Sequence, residues 1–284
     1  MINSIPPQGL VLLSIVAIQV GAAVAIHLFP VLGASGTVAV RIIFSAILLG
    51  LAARTGLRTL VQTFRLHWKL LVVFGLSIAA MNLFFYQALA RIPLGAAVAF
   101  EFIGPLGVAA LASRRLTQFA WIALAALGIV LLSPLSGADL DPIGILFALM
   151  AGTGWACFII FAGRVGKLIP GNDGLAIGMA VAALAMIPFA LPVAGILVTN
   201  PLILLASIGV ALLSTTIPFT FEFTALKRLP ARTYGVLVSL EPGVAALVGA
   251  LLLGERIGLQ GMIAITCVII AAIGITLSDA RTPP

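Results

Sequence analysis

Ten stretches of about 20 predominantly apolar residues, near 9–29, 37–53, 70–90, 94–112, 119–135, 143–163, 175–198, 202–226, 233–253 and 259–278, leave only short loops between them. Helices that satisfy their own backbone hydrogen bonds, or closed barrels, are the structures that can cross a bilayer. Spans of this length predict the former: an all-α membrane protein with ten transmembrane helices. Composition agrees, since 62% of the 284 residues are apolar and 8% are charged, whereas soluble domains carry about 25% charged residues. What lies between the spans is too short for a soluble catalytic or regulatory domain. The first 30 residues lack a basic segment ahead of an apolar stretch that is itself too long for a signal peptide, so that stretch is expected to be the first span. Cys157 and Cys267 fall inside spans, where a small hydrophobe is the expected role.

A net charge of +7 raises the question of an acidic partner. Its distribution answers it. With an even number of spans both termini share a side, and that side holds Arg54, Arg58, Arg65, Lys69, Arg114, Arg115, Arg164, Lys167, Lys227, Arg228, Arg232 and Arg281, twelve of the fifteen basic residues. The opposite loops hold Arg91 and Arg256, and Arg41 lies within the second span. The positive-inside rule then predicts cytoplasmic termini and cytoplasmic loops at 54–69, 113–118, 164–174 and 227–232. The basic residues show no clustering with aromatics of the kind a nucleic-acid surface needs.

An internal echo organises the chain further. Ala88-Leu89-Ala90-Arg91-Ile92-Pro93 recurs as Ala225-Leu226-Lys227-Arg228-Leu229-Pro230, 137 residues later, and a second proline follows twelve residues on in both copies, Pro105 and Pro242. This predicts two five-helix repeats, residues 1–137 and 138–284. An odd number of spans per repeat turns the second copy upside down in the membrane. Inverted repeats with a site at their interface are a recurrent plan of secondary transporters.

Of the eight acids, Asp139, Asp141, Asp173, Glu255 and Asp279 fall in loops or the tail, while Glu101, Glu222 and Glu241 fall in spans. A charged side chain at bilayer depth costs about 2.5–3.5 kcal/mol on insertion scales, so it faces a cavity or a partner. Glu101 and Glu241 each lie about seven or eight residues into their spans, roughly 10–12 Å deep from opposite faces. They are expected to share substrate-ammonium recognition and proton coupling. The competing roles are a hydrogen-bonded core carboxyl for Glu101, a brace on the proline-bearing helix for Glu241, and snorkelling for Glu222, about four residues from its span's end. Arg41 is read near the outer end of the second span, where it pairs with Glu101, holds a substrate carboxylate, or snorkels outward. Gln19, Asn82, Tyr86 and Gln87 offer hydrogen bonds to a zwitterion or between helices. Trp155 lines the path or packs between helices. Pro218 cannot donate to the carbonyl of Ser214, which is left to line a cavity or be satisfied by the hydroxyls of Ser214-Thr215-Thr216.

Enzyme chemistry finds no footing. Gly33-Ala34-Ser35-Gly36 looks like a rhomboid nucleophile motif, but it reads as a loop, and neither His27 nor His67 sits in a comparable later span. HExxH, paired intramembrane aspartates and GxxxxGK[ST] are missing from the sequence, so neither a metal nor a nucleotide cofactor is implied.

The stretches Met81-Asn82 to Phe85-Tyr86, Pro93-Leu94-Gly95 to Glu101-Phe102, Gly104-Pro105, Arg114-Arg115, Leu229-Pro230, Arg232-Thr233 and Glu241-Pro242 resemble the bacterial threonine and homoserine exporters. These belong to the ten-helix drug/metabolite transporter superfamily, built from EamA domains. The superfamily's proline followed at a distance by Gly-Glu-Arg is met by Pro242, Gly254, Glu255 and Arg256, whereas the first half departs with Ser113-Arg114-Arg115. That departure resembles the threonine/homoserine branch. The resemblance implies an inner-membrane exporter of small amino acids, driven by exchange with protons. Other small metabolites or drugs as cargo, or a non-transporting bundle or channel, are the alternatives.

Overall fold

The computed structural model describes residues 5–25, 28–52, 55–92, 94–132, 140–241, 243–244 and 259–280. Arg54, Asp139, Pro93, His27, Pro242, Gly254, Glu255, Arg256 and Arg281 lie outside the described residues, as do residues 245–253 of the span expected at 233–253. Among the described residues the structure is helical, without strands: α1 Pro7–Ala25, α2 Phe29–Ala52, α3 Leu57–Leu89, α4 Leu94–Glu101, α5 Ile103–Ala112, α6 Leu116–Leu132, α7 Pro142–Leu168, α8 Asp173–Ala190, α9 Ala194–Thr199, α10 Pro201–Ala211, α11 Ile217–Leu226, α12 Ala231–Leu237 and α13 Leu259–Ala280. Five stretches, Phe29–Ala52, Leu57–Ala88, Pro142–Leu168, Asp173–Thr199 and Pro201–Leu226, are long and apolar enough to cross a membrane by themselves, and shorter apolar helices accompany them. Leu13, Leu51, Leu76, Leu184, Leu205 and Ile273 face outward, as lipid-facing side chains do.

The boundaries differ instructively from the expected spans. Residues 57–69, read as a basic loop, form the first turns of α3, and the helix kinks at His67 (φ −119°, ψ 24°). Their basic side chains hid a helix from an apolar window. Gly33–Gly36, read as a loop, lies inside α2, where Gly33 takes φ 67° and bends the chain without ending the helix. Arg41 is therefore twelve residues into a 24-residue helix, near its middle.

Close helix contact is made by glycine, as expected where lipid supplies no hydrophobic drive between helices. Gly75 meets Gly178, Gly154 meets the backbone of Met81, and Gly104 meets the carbonyl of Gly152 so closely that a Cβ would collide. These contacts also give directions. Residues 92, 81 and 74 of the α3 segment face residues 144, 154 and 158 of α7, so the two run antiparallel. Phe158 meets Phe219 and Gly163 approaches Leu226, so α7 and α11 run parallel. Gly21 meets Ser214 and Ser14 meets Glu222, so α11 runs against α1. Helices α1 and α7 are consequently antiparallel. At one end of the bundle Arg228 donates to the carbonyl of Ile5 and Lys227 to that of Gly171; at the other, Arg91 pairs with Asp141 at 3.1 Å.

Candidate functional site

A cavity of about 250 Å³ opens between the helices. Of the residues singled out for a site, Gln19, Arg41, Asn82, Tyr86, Glu101, Trp155, Glu222 and Glu241 line it. They come from α1, α2, α3, α4, α7, α11 and the turn after α12. Gln87 does not line it, and instead donates to Ser35 at 3.4 Å.

Proline and glycine place Glu101. Pro105 has no N–H for the Glu101 carbonyl four residues back, and the helix breaks at Phe102, leaving Glu101 as the last residue of α4. Gly152 of α7 packs against that carbonyl, 2.5 Å from where its Cβ would be. The Glu101 side chain is 7% exposed and its carboxyl accepts no hydrogen bond from the described residues. Glu241 receives one long bond, from Gln19 Nε2 at 3.4 Å. Glu222 is held on both oxygens: Ser14 Oγ lies 3.2 Å from Oε1, and the Tyr234 hydroxyl donates to Oε2 at 2.8 Å. It is 5% exposed and does not snorkel.

Arg41 is the cavity's cation and is 9% exposed. Its Nη2 donates to Asn82 Oδ1 at 2.5 Å, with Asn82 in turn anchored to the Ile78 carbonyl at 2.9 Å. Nη1 reaches Ser214 Oγ at 3.5 Å and Nε has no partner. The guanidinium sits 5.7 Å from the Tyr86 ring centre, a cation–π contact. It forms no ion pair with Glu101; among the described residues the ion pair found is the exposed Arg91–Asp141. A buried charge left without a counter-ion costs several kcal/mol, so this arrangement asks for an anion.

Ser214 stands in a π-helical turn, Leu212–Thr216, ahead of Pro218. Its hydroxyl bonds the Val210 carbonyl at 2.6 Å, and Thr216 Oγ1 bonds Ala211 at 3.0 Å, so the hydroxyls stabilise the irregular turn. The Thr215 hydroxyl is buried without a partner. Phe219 of the cavity wall joins Phe74, Phe158 and Phe223 in an aromatic cluster with ring centres 5.3–6.0 Å apart, one pair stacked, one tilted and one edge-on. Among the described residues no group of three or more His, Cys, Asp and Glu stands at metal-holding distance.

Sequence reasoning missed Tyr234 and Ser14. A tyrosine in an apolar span reads as packing, and Ser14 meets Glu222 across 208 residues, a separation that no local pattern encodes. The partner of a buried carboxylate was the signal available, since such a group must be hydrogen-bonded somewhere.

The model of the EamA-like transporter family matches residues 142–277. Threonine/homoserine exporter RhtA of Salmonella typhimurium strain LT2 is 39% identical over 281 residues, covering 98% of this chain and 93% of that protein. The protein of the same name from Escherichia coli K12 is 38% identical over 275 residues, covering 96% and 92%. A solved crystal structure superposes with a TM-score of 0.76 at 19% identity, over 97% of this chain and 98% of that one, which shows a common fold. The chain is a multi-pass membrane protein that belongs to the threonine/homoserine exporter branch of the EamA-type drug/metabolite transporter superfamily.

Proposed function

We propose that this protein exports small amino acids such as threonine and homoserine across a bacterial inner membrane, in exchange for protons. The observation that carries the reading is Arg41, a buried guanidinium with no acidic partner, sharing one cavity with three carboxyl groups. A zwitterion complements both. Its carboxylate takes the fork of Arg41, oriented by Asn82 and backed by Tyr86, while its ammonium takes Glu101 and Glu241, whose oxygens the protein leaves largely unbonded. Trp155 and Gln19 complete the wall. About 250 Å³ is below the ~300–1,000 Å³ of drug-sized sites, which suits a small metabolite.

The transport cycle rests on ten spans arranged as two inverted repeats, residues 1–137 and 138–284. Support comes from element boundaries and directions. Helix α3 ends at Leu89 and α11 at Leu226, and α4 begins at Leu94 and α12 at Ala231, both pairs 137 residues apart. Helices α1 and α7 are antiparallel, and the family match falls within the second half. Packing α1 on α11 and α7 on α3 makes each half lean on the other, and exchanging their tilts opens the cavity to one side and then the other. A proton bound by a cavity carboxyl on the outer side, and released on the inner, returns the carrier.

Cells expressing the protein should release preloaded labelled threonine or homoserine faster than cells without it, and collapse of the proton gradient should abolish the difference. Equal release would remove amino-acid export. Reporter fusions should place both termini and the loops after α5 and α11 in the cytoplasm; activity of an outer-side reporter there would reverse the orientation.

A further inference from the structure

We propose that Tyr234 is a positioning residue for proton coupling: it directs the exchangeable proton of Glu222 to Oε1, the oxygen that Ser14 of α1 senses. The inference rests on the proton-exchange reading above and assigns it an atom.

Hydrogen-bond bookkeeping carries the argument. Tyr234 is fully buried, and a buried phenol needs a partner for its one proton. Among the described residues this hydroxyl has one acceptor within reach, a Glu222 oxygen, and a proton placed on that oxygen would leave the phenol's own proton buried without a partner. The tyrosine's own proton must therefore point at Glu222 Oε2, where the 2.8 Å contact lies. Oε2 is an acceptor in either state of the carboxyl. A proton arriving from cavity water forms its O–H bond at Oε1, and its return to water breaks that bond.

Ser14 can read the difference. Its single proton has two acceptors, the Val11 carbonyl at 2.7 Å and Glu222 Oε1 at 3.2 Å. When Glu222 is charged, the hydroxyl turns to Oε1. When Oε1 carries the proton, that proton is donated to Ser14 Oγ and the serine proton goes to Val11. Ser14 lies on α1 of the first half, whereas Glu222 and Tyr234 lie on α11 and α12 of the second. Proton loading thus changes a contact between the halves that must tilt against each other. The other ionisable groups facing this cavity are Glu101 of α4, Glu241 after α12, Arg41 of α2 and Tyr86 of α3.

The test is a pH-difference infrared spectrum of the purified full-length protein in liposomes, with proton-driven flux measured in parallel. Glu222→Gln should delete one protonated-carboxyl band. Tyr234→Phe keeps the ring and its packing, and should move that band's frequency and titration midpoint while slowing proton-driven flux about tenfold. Ser14→Ala, at the other oxygen, should change the band's hydrogen-bond shift and give a second handle should Tyr234→Phe fold poorly. No band lost in Glu222→Gln, or a band unchanged in both Tyr234→Phe and Ser14→Ala, overturns the proposal. The spectrum needs no transport, so a parent protein that carries no proton-driven flux breaks the export reading separately.

Discussion

Positions 137 residues apart meet the same cavity with different side chains. Ile18 and Trp155 both line it, as do Asn82 and Phe219, and Phe85 and Glu222. In the last two pairs one member is polar and the other apolar. Gly104 and Glu241 are a further pair: the glycine presses α5 onto Gly152 of α7, whereas the glutamate reaches the cavity and takes a bond from Gln19. The two turns built on the shared six-residue echo diverge in the same way. Arg91 pairs with Asp141 at the start of α7, and Arg228 reaches a backbone carbonyl at the start of α1. If the backbone is repeated as proposed, divergence of its side chains is what makes the cavity polar in a directed way. Residues before position 138 bring the arginine and its amide, and residues after it bring two of the three acids. A symmetric lining would not tell the two ends of a zwitterion apart.

The sharpest break in the comparison comes at Arg41. Arg41→Lys keeps charge but loses the planar fork, and transport of inserted protein should fall about 10–100-fold, the worth of a charged hydrogen bond. Unchanged flux would remove Arg41 from the site. Next, Asn82→Leu makes that position apolar like its counterpart Phe219, and frees Arg41 from its orienting bond. The KM for amino acid should rise about tenfold with a smaller change in maximal rate; the opposite split would place Asn82 in the transition between states. Third, Gly104→Ala drives a methyl into the Gly152 carbonyl, while Gly107→Ala meets nothing within 4 Å. The first should cost about 1–3 kcal/mol of overpacking and lower the melting temperature, and the second should leave it in place. The smallest effect is expected at Asp141→Asn. Asp141 is held below the usual carboxylate range, first by the Ile143 N–H and then by Arg91. A lowered folded-state value means that its contribution is complete above the ordinary aspartate pKa and lost only as pH falls through the folded value. Flux between pH 5 and 8 should therefore be indifferent to this exposed pair.

Much of the cavity's lining was legible because charge in a bilayer is expensive. Glu101, Glu222, Glu241 and Arg41 stood out in apolar spans, and all four line one cavity. Depth was less legible. Glycine and serine around Gly33–Gly36 masked the first turns of α2, so Arg41 read as peripheral although it sits mid-helix. The helical residues 57–69 were hidden by Arg58, Arg65 and Lys69, which a window tuned to lipid rejects but a helix at the membrane surface accepts. The partners were least legible. Ser14 and Tyr234 are ordinary span residues until α1, α11 and α12 pack together, and only then does Glu222 acquire both its hydrogen bonds.

The central claim is that Glu101 and Glu241 hold the substrate ammonium and, together with Glu222, couple amino-acid movement to protons. Their amide variants keep side-chain shape and much of the hydrogen bonding while removing the titratable group. Purified protein in liposomes, loaded with labelled threonine and given an imposed pH gradient, measures the coupling directly. The parent should move threonine against the proton flow. Glu101→Gln and Glu241→Gln should insert, fold and lose gradient-driven flux. Gradient-dependent flux at the parent rate in both variants would contradict the account and leave these carboxyl groups a structural role.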